Sequence, residues 1–434
     1  MKKRLQVLAC GAAVLWACAS LLAAAESVDP AFSGLNPAKA PVVSGLYLKA
    51  GDRLAICGDS ITQQNLYSRI LETYLTVCVP DLKITARQYG WSGETAEGFL
   101  RRMTNDCLRF KPTIATTCYG MNDFRYRPCD EATDKAYRDN LTAVTRAFKG
   151  EGARVIIGSP SCVGKVCSWV ASIGTLEQHN QHLCFLHNVG IEVAAREGVR
   201  FADIFCPHYA AGVAARKLYG ADYAIAGGDG IHPGMAGHLV MAYAFLNTMG
   251  LDGNIGTFTV NLAKGTATVT EGHTMDAFKD GTLTVTSTRY PFCDAGPTNK
   301  DSSIRSGMTL VPFNEKLNRL MLVVKRAKAA KYKVTWGPTA RTYTAKQLAK
   351  GVNLAADFEV NPFSGAFARV DGAVAGKQGF EIGQIQQVVH AAQERPEKEA
   401  DVQKSEVEHE VLAAAIRAAF IPVTHSLRIE AEKE

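Results

Sequence analysis

The chain has 434 residues, of which 47% are hydrophobic and 21% are charged, as is ordinary for a globular protein. This length allows two or three domains with a hydrophobic core. The formal net charge of +6 falls to +3 once residues 1–25 are removed, because that segment holds three cations and no acidic residue. So small a charge excludes an electrostatic argument for nucleic acid or a membrane surface as partner.

The N-terminus predicts a signal peptide over residues 1–25. Lys2, Lys3 and Arg4 precede an apolar run that ends in small residues, which is the order of parts in a secretory signal. We expect cleavage near Ala25 and a secreted or periplasmic protein without a stable membrane span. A retained membrane anchor is the alternative, although the apolar run is short for one. Lipoprotein processing at Cys18 fits the pattern poorly.

Two of the twelve cysteines leave with the signal, and the ten that remain permit disulfides in an exported chain. Cys57 and Cys118 lie in predicted strands, where a buried free thiol is expected. Cys162 and Cys167 are close enough in sequence to bridge across a loop, and the sequence leaves open whether they do. No C-x-x-C pair or Cys/His cluster with zinc spacing appears.

Residues 26–250 alternate short apolar runs with helical patterns. This alternation predicts a parallel sheet covered by helices on both faces. Thr95 is the expected cap of one helix, and Gly250 ends the last one. Ligands of such sheets bind beyond the carboxyl ends of the strands. The predicted strands are RLAICGD, KITARQYG, TIATTCYG, ARVIIGSP and VRFADIF.

Residues 251–390 change to a pattern in which Thr alternates with apolar residues between Gly-containing turns. This predicts a β-rich accessory region with an antiparallel meander. A short helix is expected between Thr344 as its cap and Gly351 as its stop. Residues 391–434 predict a charged segment and a terminal amphipathic helix. The region shows no ladder of aromatic residues, so packing is favoured over glycan binding as its role.

Polar residues with catalytic potential follow the predicted strands. Ser60 ends the first strand, and Asp229 and His232 lie in a glycine-rich loop that returns to the same edge, as a serine with its base and orienting group requires. Gly93 and Asn122 follow strands two and three and can supply oxyanion donors beside the Ser60 N–H. Each of these residues alone is commonly found in a turn. A separate turn at each of four strand ends is, however, a less economical explanation than one shared catalytic site.

Together these segments resemble the four sequence blocks of the SGNH, or GDSL-type, esterase and lipase superfamily, in the family's order over residues 52–250. The resemblance implies an α/β fold, a three-layer α/β/α sandwich with a flavodoxin-like parallel sheet, and neither a metal nor another cofactor. It implies Ser60 as nucleophile, Gly93 and Asn122 as oxyanion donors, and Asp229 with His232 as the rest of a triad. The second block lacks the asparagine often found before its glycines. The blocks are GDSIT (58–62), WSGET around Gly93, GMND (120–123) and DGIHP (229–233).

Trp91, Met121 and Arg125 flank these blocks and are the predicted substrate-binding residues. Core packing is the alternative for the first two, and a solvated loop for Arg125. Exported members of the family often remove acetyl groups from polysaccharides. The resemblance therefore implies a serine esterase for a small-molecule or polysaccharide ester, most simply a carbohydrate O-acetylesterase. The alternatives are a lipolytic or thioester-cleaving hydrolase of this fold, and a non-catalytic glycan-binding or structural protein. The oligomeric state stays open.

Overall fold

The computed structural model describes residues 30–293, 296–393 and 395–432. The predicted signal peptide and its cleavage site lie outside the described residues. Among the helices in these ranges, none combines the length and the apolar character that a membrane crossing requires.

The first sheet is parallel, and its strands stand in the order β2-β1-β3-β4-β5. This order is flavodoxin-like and confirms the predicted α/β fold. Strands β1 and β3 are buried along almost their whole length, as expected for a sheet with helices on both faces. The strands are β1 (Arg53–Gly58), β2 (Thr85–Gln88), β3 (Ile114–Cys118), β4 (Arg154–Gly158) and β5 (Arg200–Ala202).

The helices that follow these strands cover the sheet. Two predicted helix ends are confirmed. The Thr95 side chain caps the start of one helix by accepting a hydrogen bond from the Gly98 N–H at 3.2 Å, and Gly250, at φ +78°, follows the end of the last helix that covers this sheet. The helices are α1 (Ser60–Gln63), α2 (Tyr67–Val77), α3 (Ala96–Asp106), α4 (Glu131–Gly150), α5 (Leu176–Glu197), α6 (Phe205–Tyr219) and α7 (Met235–Thr248).

The C-terminal region forms two further sheets rather than one meander. Strand β6 pairs antiparallel with β7 but parallel with β10, since the chain crosses back through helices before β10 begins. The elements from the first to the last of these strands are β6 (Asn254–Asn261), β7 (Thr266–Val269), β8 (His273–Lys279), β9 (Thr282–Ser287), α8 (Ile304–Leu310), α9 (Phe313–Lys316) and β10 (Arg319–Lys325). Of the three strands predicted for the meander, β6 and β7 pair as expected, whereas β9 pairs with the unpredicted strand β8 and with the last strand of the chain.

The remaining elements complete these sheets. The short predicted helix is present between a capping box at Thr344 and Gly351. The terminal helix is longer than expected, and an unpredicted last strand lies in the middle of the third sheet. The elements are β11 (Lys331–Trp336), β12 (Thr339–Thr344), α10 (Ala345–Lys350), β13 (Val352–Asn353), α11 (Leu354–Asp357), α12 (Ser364–Gly383), α13 (His390–Ala392), α14 (Glu399–Ala419) and β14 (Val423–Ala431).

Helix α12 covers the edge of the first sheet. The buried Lys377 side chain donates to the Ala86 carbonyl of β2 at 2.7 Å and pairs with Glu72 of α2 at 3.1 Å. An edge strand presents unpaired backbone groups, and this contact satisfies one of them. The accessory region therefore packs directly against the first sheet, while the predicted domain boundaries stay a prediction.

Within the described residues, the cysteines that the sequence analysis singled out are free thiols. Cys57 and Cys118 are buried in strands, as predicted. Cys162 and Cys167 are buried and unpaired, so they do not form the bridge that the sequence left open. Instead, the Cys162 sulfur lies 3.2 Å from Nδ1 of His208.

Candidate active site

Ser60 begins helix α1 directly after strand β1, at the carboxyl edge of the first sheet. The Asp59 carboxylate caps this short helix by accepting a hydrogen bond from the Ile61 N–H at 3.0 Å. Burial raises the pKa of Asp59 to about 7, against the lowering effect of that hydrogen bond. Asp59 thus fixes the turn, and the partly exposed Ser60 hydroxyl is left free of this capping role.

Three of the predicted residues are joined by hydrogen bonds. His232 Nε2 lies 2.8 Å from Ser60 Oγ, and His232 Nδ1 lies 2.7 Å from Asp229 Oδ2. The other oxygen of Asp229 accepts the backbone N–H groups of Ile231 and His232, each at 2.8 Å. We call Ser60, His232 and Asp229 the triad.

The electrostatics of Asp229 fix the state of the histidine ring. Burial alone would raise the pKa of Asp229, but the backbone N–H groups of His232 and Ile231 and the His232 ring outweigh it and lower the pKa. An ionised carboxylate only accepts hydrogen bonds, so His232 Nδ1 carries the proton. His232 Nε2 is then free to accept the proton of the Ser60 hydroxyl.

The turn after β2 lies against the helix that begins with Ser60. A Cβ at Gly90 would overlap the backbone of Gln63, so only glycine allows this approach. The Ser92 N–H donates to Gln63 Oε1 at 2.6 Å, which joins the turn to α1. The next residue, Gly93, has φ +74° and open space where a side chain would be. Gly93 is therefore exposed beside helix α1, which begins at Ser60.

Asn122 is held beside the same turn. Its Nδ2 donates to the Glu94 carbonyl at 3.0 Å, and the Tyr126 hydroxyl donates to its Oδ1 at 3.3 Å. These two contacts fix the orientation of the amide group. The second Nδ2 hydrogen has no partner among the residues that the structure describes, so it can serve a ligand.

A buried ion pair supports this arrangement and was not predicted from the sequence. Arg102 on α3 donates to both carboxylate oxygens of Glu94, at 2.5 and 2.6 Å, and to the Tyr89 carbonyl at 2.8 Å. Burial raises the pKa of Glu94, although Arg102 and the Tyr119 hydroxyl oppose the shift. Since Glu94 follows Gly93 and holds Asn122 by its carbonyl, Arg102 positions both predicted oxyanion donors.

The predicted substrate-binding residues have different surroundings. The Trp91 ring packs between the Arg102 guanidinium, whose Cζ is 4.8 Å from the ring centre, and the His390 ring at 5.0 Å. Met121 is 2% exposed and belongs to the hydrophobic core, so the structure does not bring it to the surface of the site. Arg125 is exposed, with φ +51°.

A tryptophan that the sequence analysis did not select lies beside the triad. The Trp169 ring stacks on the His232 ring with centres 5.9 Å apart and planes inclined by 25°, and it is 50% exposed. Trp169 lies in the loop between β4 and α5. The sequence feature that could have identified Trp169 is a run of apolar residues in a loop that follows the carboxyl end of a strand. The same loop exposes Val166, Val170 and Ile173.

Residues 56–240 match the model of the GDSL-like lipase/acylhydrolase family. This part of the chain is therefore a GDSL-like lipase/acylhydrolase segment. The matched segment contains all five residues of the triad and the predicted oxyanion donors. This match confirms the resemblance drawn from the sequence blocks and identifies the protein as a hydrolase of ester bonds.

Solved structures extend the likeness to the C-terminal region. A gut microbial diltiazem-metabolizing enzyme is 22% identical, with a TM-score of 0.72, and the match covers 91% of this chain and 100% of that chain. At this identity the match shows the fold alone, including the additional sheets.

Two shorter structures match only about half of this chain. An acetylxylan esterase from Geobacillus stearothermophilus is 21% identical over 48% of this chain and 97% of its own, with a TM-score of 0.40. An alpha/beta hydrolase from the metagenome of Lake Arreo, Spain, is 23% identical over 48% of this chain and 98% of its own, with a TM-score of 0.37. Both scores are too low to support a conclusion. No curated protein sequence matches the chain.

Proposed function

We propose that the triad hydrolyses a carboxylic ester through an acyl-enzyme on Ser60, and that the ester is an acetyl group on a carbohydrate. The observation that carries the proposal is the unbroken pair of hydrogen bonds from Asp229 through His232 to Ser60, at 2.7 and 2.8 Å. Because these bonds use opposite ring nitrogens, the ring can accept a proton from serine while the carboxylate stabilises the resulting imidazolium.

In the first step, Ser60 Oγ attacks the ester carbonyl carbon and His232 Nε2 takes the hydroxyl proton. The carbonyl oxygen becomes an oxyanion, for which the Ser60 and Gly93 N–H groups and the Asn122 amide are the proposed donors. One such donor typically contributes about 10²–10³-fold in rate. His232 then protonates the departing alcohol. In the second step, water adds to the acyl-enzyme with His232 as base, and acetate leaves.

The proposed substrate class rests on the surroundings of His232. The exposed Trp169 ring offers a flat apolar face next to the reacting atoms, which suits the apolar face of a sugar ring. This contact surface favours an alcohol that presents a ring, and acetate is the acyl group that we propose.

A second candidate substrate is an ester with an apolar alcohol or acyl part. The exposed Val166, Val170 and Ile173 of the Trp169 loop favour it, because exposed apolar side chains next to a site commonly contact ligand. Diltiazem, which carries an acetate ester on an aromatic framework, is a suitable test compound of this class.

The test is the turnover of p-nitrophenyl acetate, p-nitrophenyl octanoate, acetylated xylan, acetylated pectin and diltiazem by residues 26–434. Ser60→Ala is the inactive variant, and Ser426→Ala, an exposed serine of the third sheet, is the matched control. Acetate release from the polysaccharides that is lost only in Ser60→Ala supports the proposal.

Other results would change or reject the proposal. Preference for octanoate would replace deacetylation by lipolysis, and preference for diltiazem would favour the apolar ester. Activity that survives in Ser60→Ala, or no turnover of any ester by well-folded protein, would overturn the proposed triad.

A further inference from the structure

Three side chains away from the triad bring metal-binding atoms together. His187 on α5, Asp203 after β5 and Cys206 in the first turn of α6 place one ring nitrogen, one carboxylate oxygen and one sulfur within 4.8 Å of one another. We call these residues the thiol cluster. The ester hydrolysis described above uses none of them.

The nitrogen–oxygen distance in the thiol cluster is longer than a typical hydrogen bond, and the nitrogen–sulfur distance is at the long end for a hydrogen bond to sulfur. His187 Nε2 lies 3.3 Å from Asp203 Oδ1 and 3.9 Å from Cys206 Sγ. By contrast, His182 Nε2 and Asp134 Oδ1, on the other side of α5, lie at a hydrogen-bond distance of 2.8 Å. Around a tetrahedral zinc ion, the usual bond lengths place N, O and S ligands about 3.3–3.7 Å apart. The thiol cluster is therefore close to the spacing of such a site.

The tautomer of His187 is fixed by its other nitrogen. Nδ1 lies 3.0 Å from Oδ1 of Asn188. That oxygen is identified as an acceptor because the Ala38 N–H also donates to it at 2.7 Å, and because Asn188 Nδ2 donates to the Asn36 carbonyl at 3.0 Å. His187 Nδ1 therefore donates its proton to Asn188, and the lone pair of Nε2 points toward the carboxylate and the thiol. This is the orientation of a histidine that ligates a metal.

We propose that the thiol cluster binds one zinc ion through His187 Nε2, the Asp203 carboxylate and the Cys206 sulfur, with water as the fourth ligand. These three ligand types are the ones that Zn²⁺ prefers. On binding, the Cys206 S–H bond breaks, its proton leaves to solvent and the thiolate forms a bond to zinc, with no change of oxidation state. The ion can enter from solvent, since the Asp203 side chain is 23% exposed.

A thiol nucleophile is the other chemistry that these residue types suggest, and the geometry opposes it. Cys206 and Asp203 contact the same ring nitrogen of His187, so the ring cannot take a proton from the thiol while the carboxylate supports its far side. Burial, followed by the nearby Asp203 charge, holds the pKa of Cys206 well above its usual range. Without a bound cation the thiol stays protonated and unreactive.

Zinc at this position would join three parts of the molecule. The ligands come from α5, the β5–α6 connection and α6, and Asn188 links His187 to the N-terminal segment at Asn36 and Ala38. We therefore expect zinc to stabilise the fold, because an ion that binds the folded chain and not the unfolded chain raises the free energy of unfolding.

The experiment uses residues 26–434 freed of metal by a chelator and then titrated with Co²⁺ and Zn²⁺. We expect one metal ion per chain by inductively coupled plasma mass spectrometry. Co²⁺ should give a thiolate-to-cobalt charge-transfer band with tetrahedral d–d bands, and Zn²⁺ should raise the Tm. Cys206→Ser and His187→Gln should lose the cobalt band. Asp203→Asn, at a partly exposed position, provides a ligand variant with less risk to folding. Asn188→Ala should weaken zinc affinity about 10–100-fold.

Two controls isolate the site. Ser60→Ala should bind cobalt like the unaltered chain, and so should Cys129→Ser, which alters the neighbouring group of Cys129, Asp134 and His182. The proposal is overturned if the folded chain gives no thiolate band. It is also overturned if the band survives in Cys206→Ser and folded Asp203→Asn, or if it disappears only in Cys129→Ser.

Discussion

The triad and the thiol cluster contain the same kinds of group, a nucleophilic atom, an imidazole and a carboxylate, and yet they support different chemistry. In the triad, serine and carboxylate contact opposite nitrogens of His232. In the thiol cluster, sulfur and carboxylate contact the same nitrogen of His187, while Asn188 holds the other. The first arrangement lets the ring accept the serine proton at one nitrogen while the carboxylate stabilises the charged ring at the other. The second arrangement directs an imidazole nitrogen, a carboxylate oxygen and a sulfur to one point. The use of the two ring nitrogens thus decides the function, and the residue types alone do not.

The largest expected effect is on kcat, and it distinguishes the carboxylate of Asp229 from that of Asp203. Asp229→Asn should lower kcat on an acetate ester by about 10³–10⁴-fold, because an amide facing His232 Nδ1 favours the wrong tautomer. Asp229→Asn should retain its zinc, whereas Asp203→Asn should lose it. Steady-state kinetics and metal analysis of both variants check this. A loss of activity below tenfold in Asp229→Asn would show that the triad does not operate as proposed.

The next effect concerns Asn122. Asn122→Ala should lower kcat by about 10²–10³-fold with little change in KM, because the donor acts on the oxyanion and not on the bound ester. Asn122→Asp keeps the shape of the side chain, removes the donor and adds a negative charge, so its kcat should fall at least as far. If Asn122→Asp retained activity, the amide would have a structural role only.

A third histidine, His208, shows how burial alone changes the pKa of an imidazole. His208 is fully buried against the Cys162 sulfur, and burial lowers its pKa from 6.5 to about 4. Between these pH values the unfolded chain binds a proton that the folded chain does not. The contribution of His208 to stability is therefore complete above pH 6.5 and is lost as the pH falls toward 4.

His208→Gln should remove this dependence on pH. The free energy of unfolding of the unaltered chain should fall more than that of the variant between pH 7 and 4, by roughly 3 kcal/mol at one pKa unit per 1.4 kcal/mol. Urea titrations at several pH values measure the difference in slope, even if the variant is less stable throughout. Parallel slopes would contradict the assignment of His208 as a buried neutral imidazole.

The smallest effect is expected at Trp169. Trp169→Ala should raise KM for an acetylated sugar by about 2–10-fold, the size of one stacking contact, and Trp169→Phe should restore most of the loss. Ethyl acetate has no ring to stack on Trp169, so its turnover serves as the reference. Equal KM values for sugar acetates in all three proteins would remove Trp169 from the substrate site.

The sequence predicted the first sheet well because three of its five strands, β1, β3 and β4, are short and mostly buried runs that end in a turn. It predicted the pairing of the accessory strands poorly, since a period of two indicates a strand but not its partner or direction. Strand β14 carries this alternation, with His425, Leu427 and Ile429 buried, but the charged tail that follows obscured the pattern.

The sequence analysis predicted that Ser60, Asp229 and His232 meet at one edge because the carboxyl ends of parallel strands meet there. The structure joins these three side chains by hydrogen bonds, and their catalytic roles stay a prediction. It could not predict the ring contact of Trp169 with His232, which depends on the path of a long loop. Met121, which was expected near substrate, faces the core instead. The thiol cluster was missed because His187 and Cys206 are brought together only by packing of helix α5 against the start of α6.

The most direct test of the difference between the two histidine sites is to find which side chain reacts as a nucleophile. The folded chain would be treated with diethyl p-nitrophenyl phosphate, and the adduct would be located by peptide mass spectrometry. We predict a single diethylphosphoryl group on Ser60 that is absent from Ser60→Ala and forms much more slowly in Asp229→Asn. A modified Cys206, or no adduct on the folded chain, would contradict the assignment of Ser60 as the activated nucleophile.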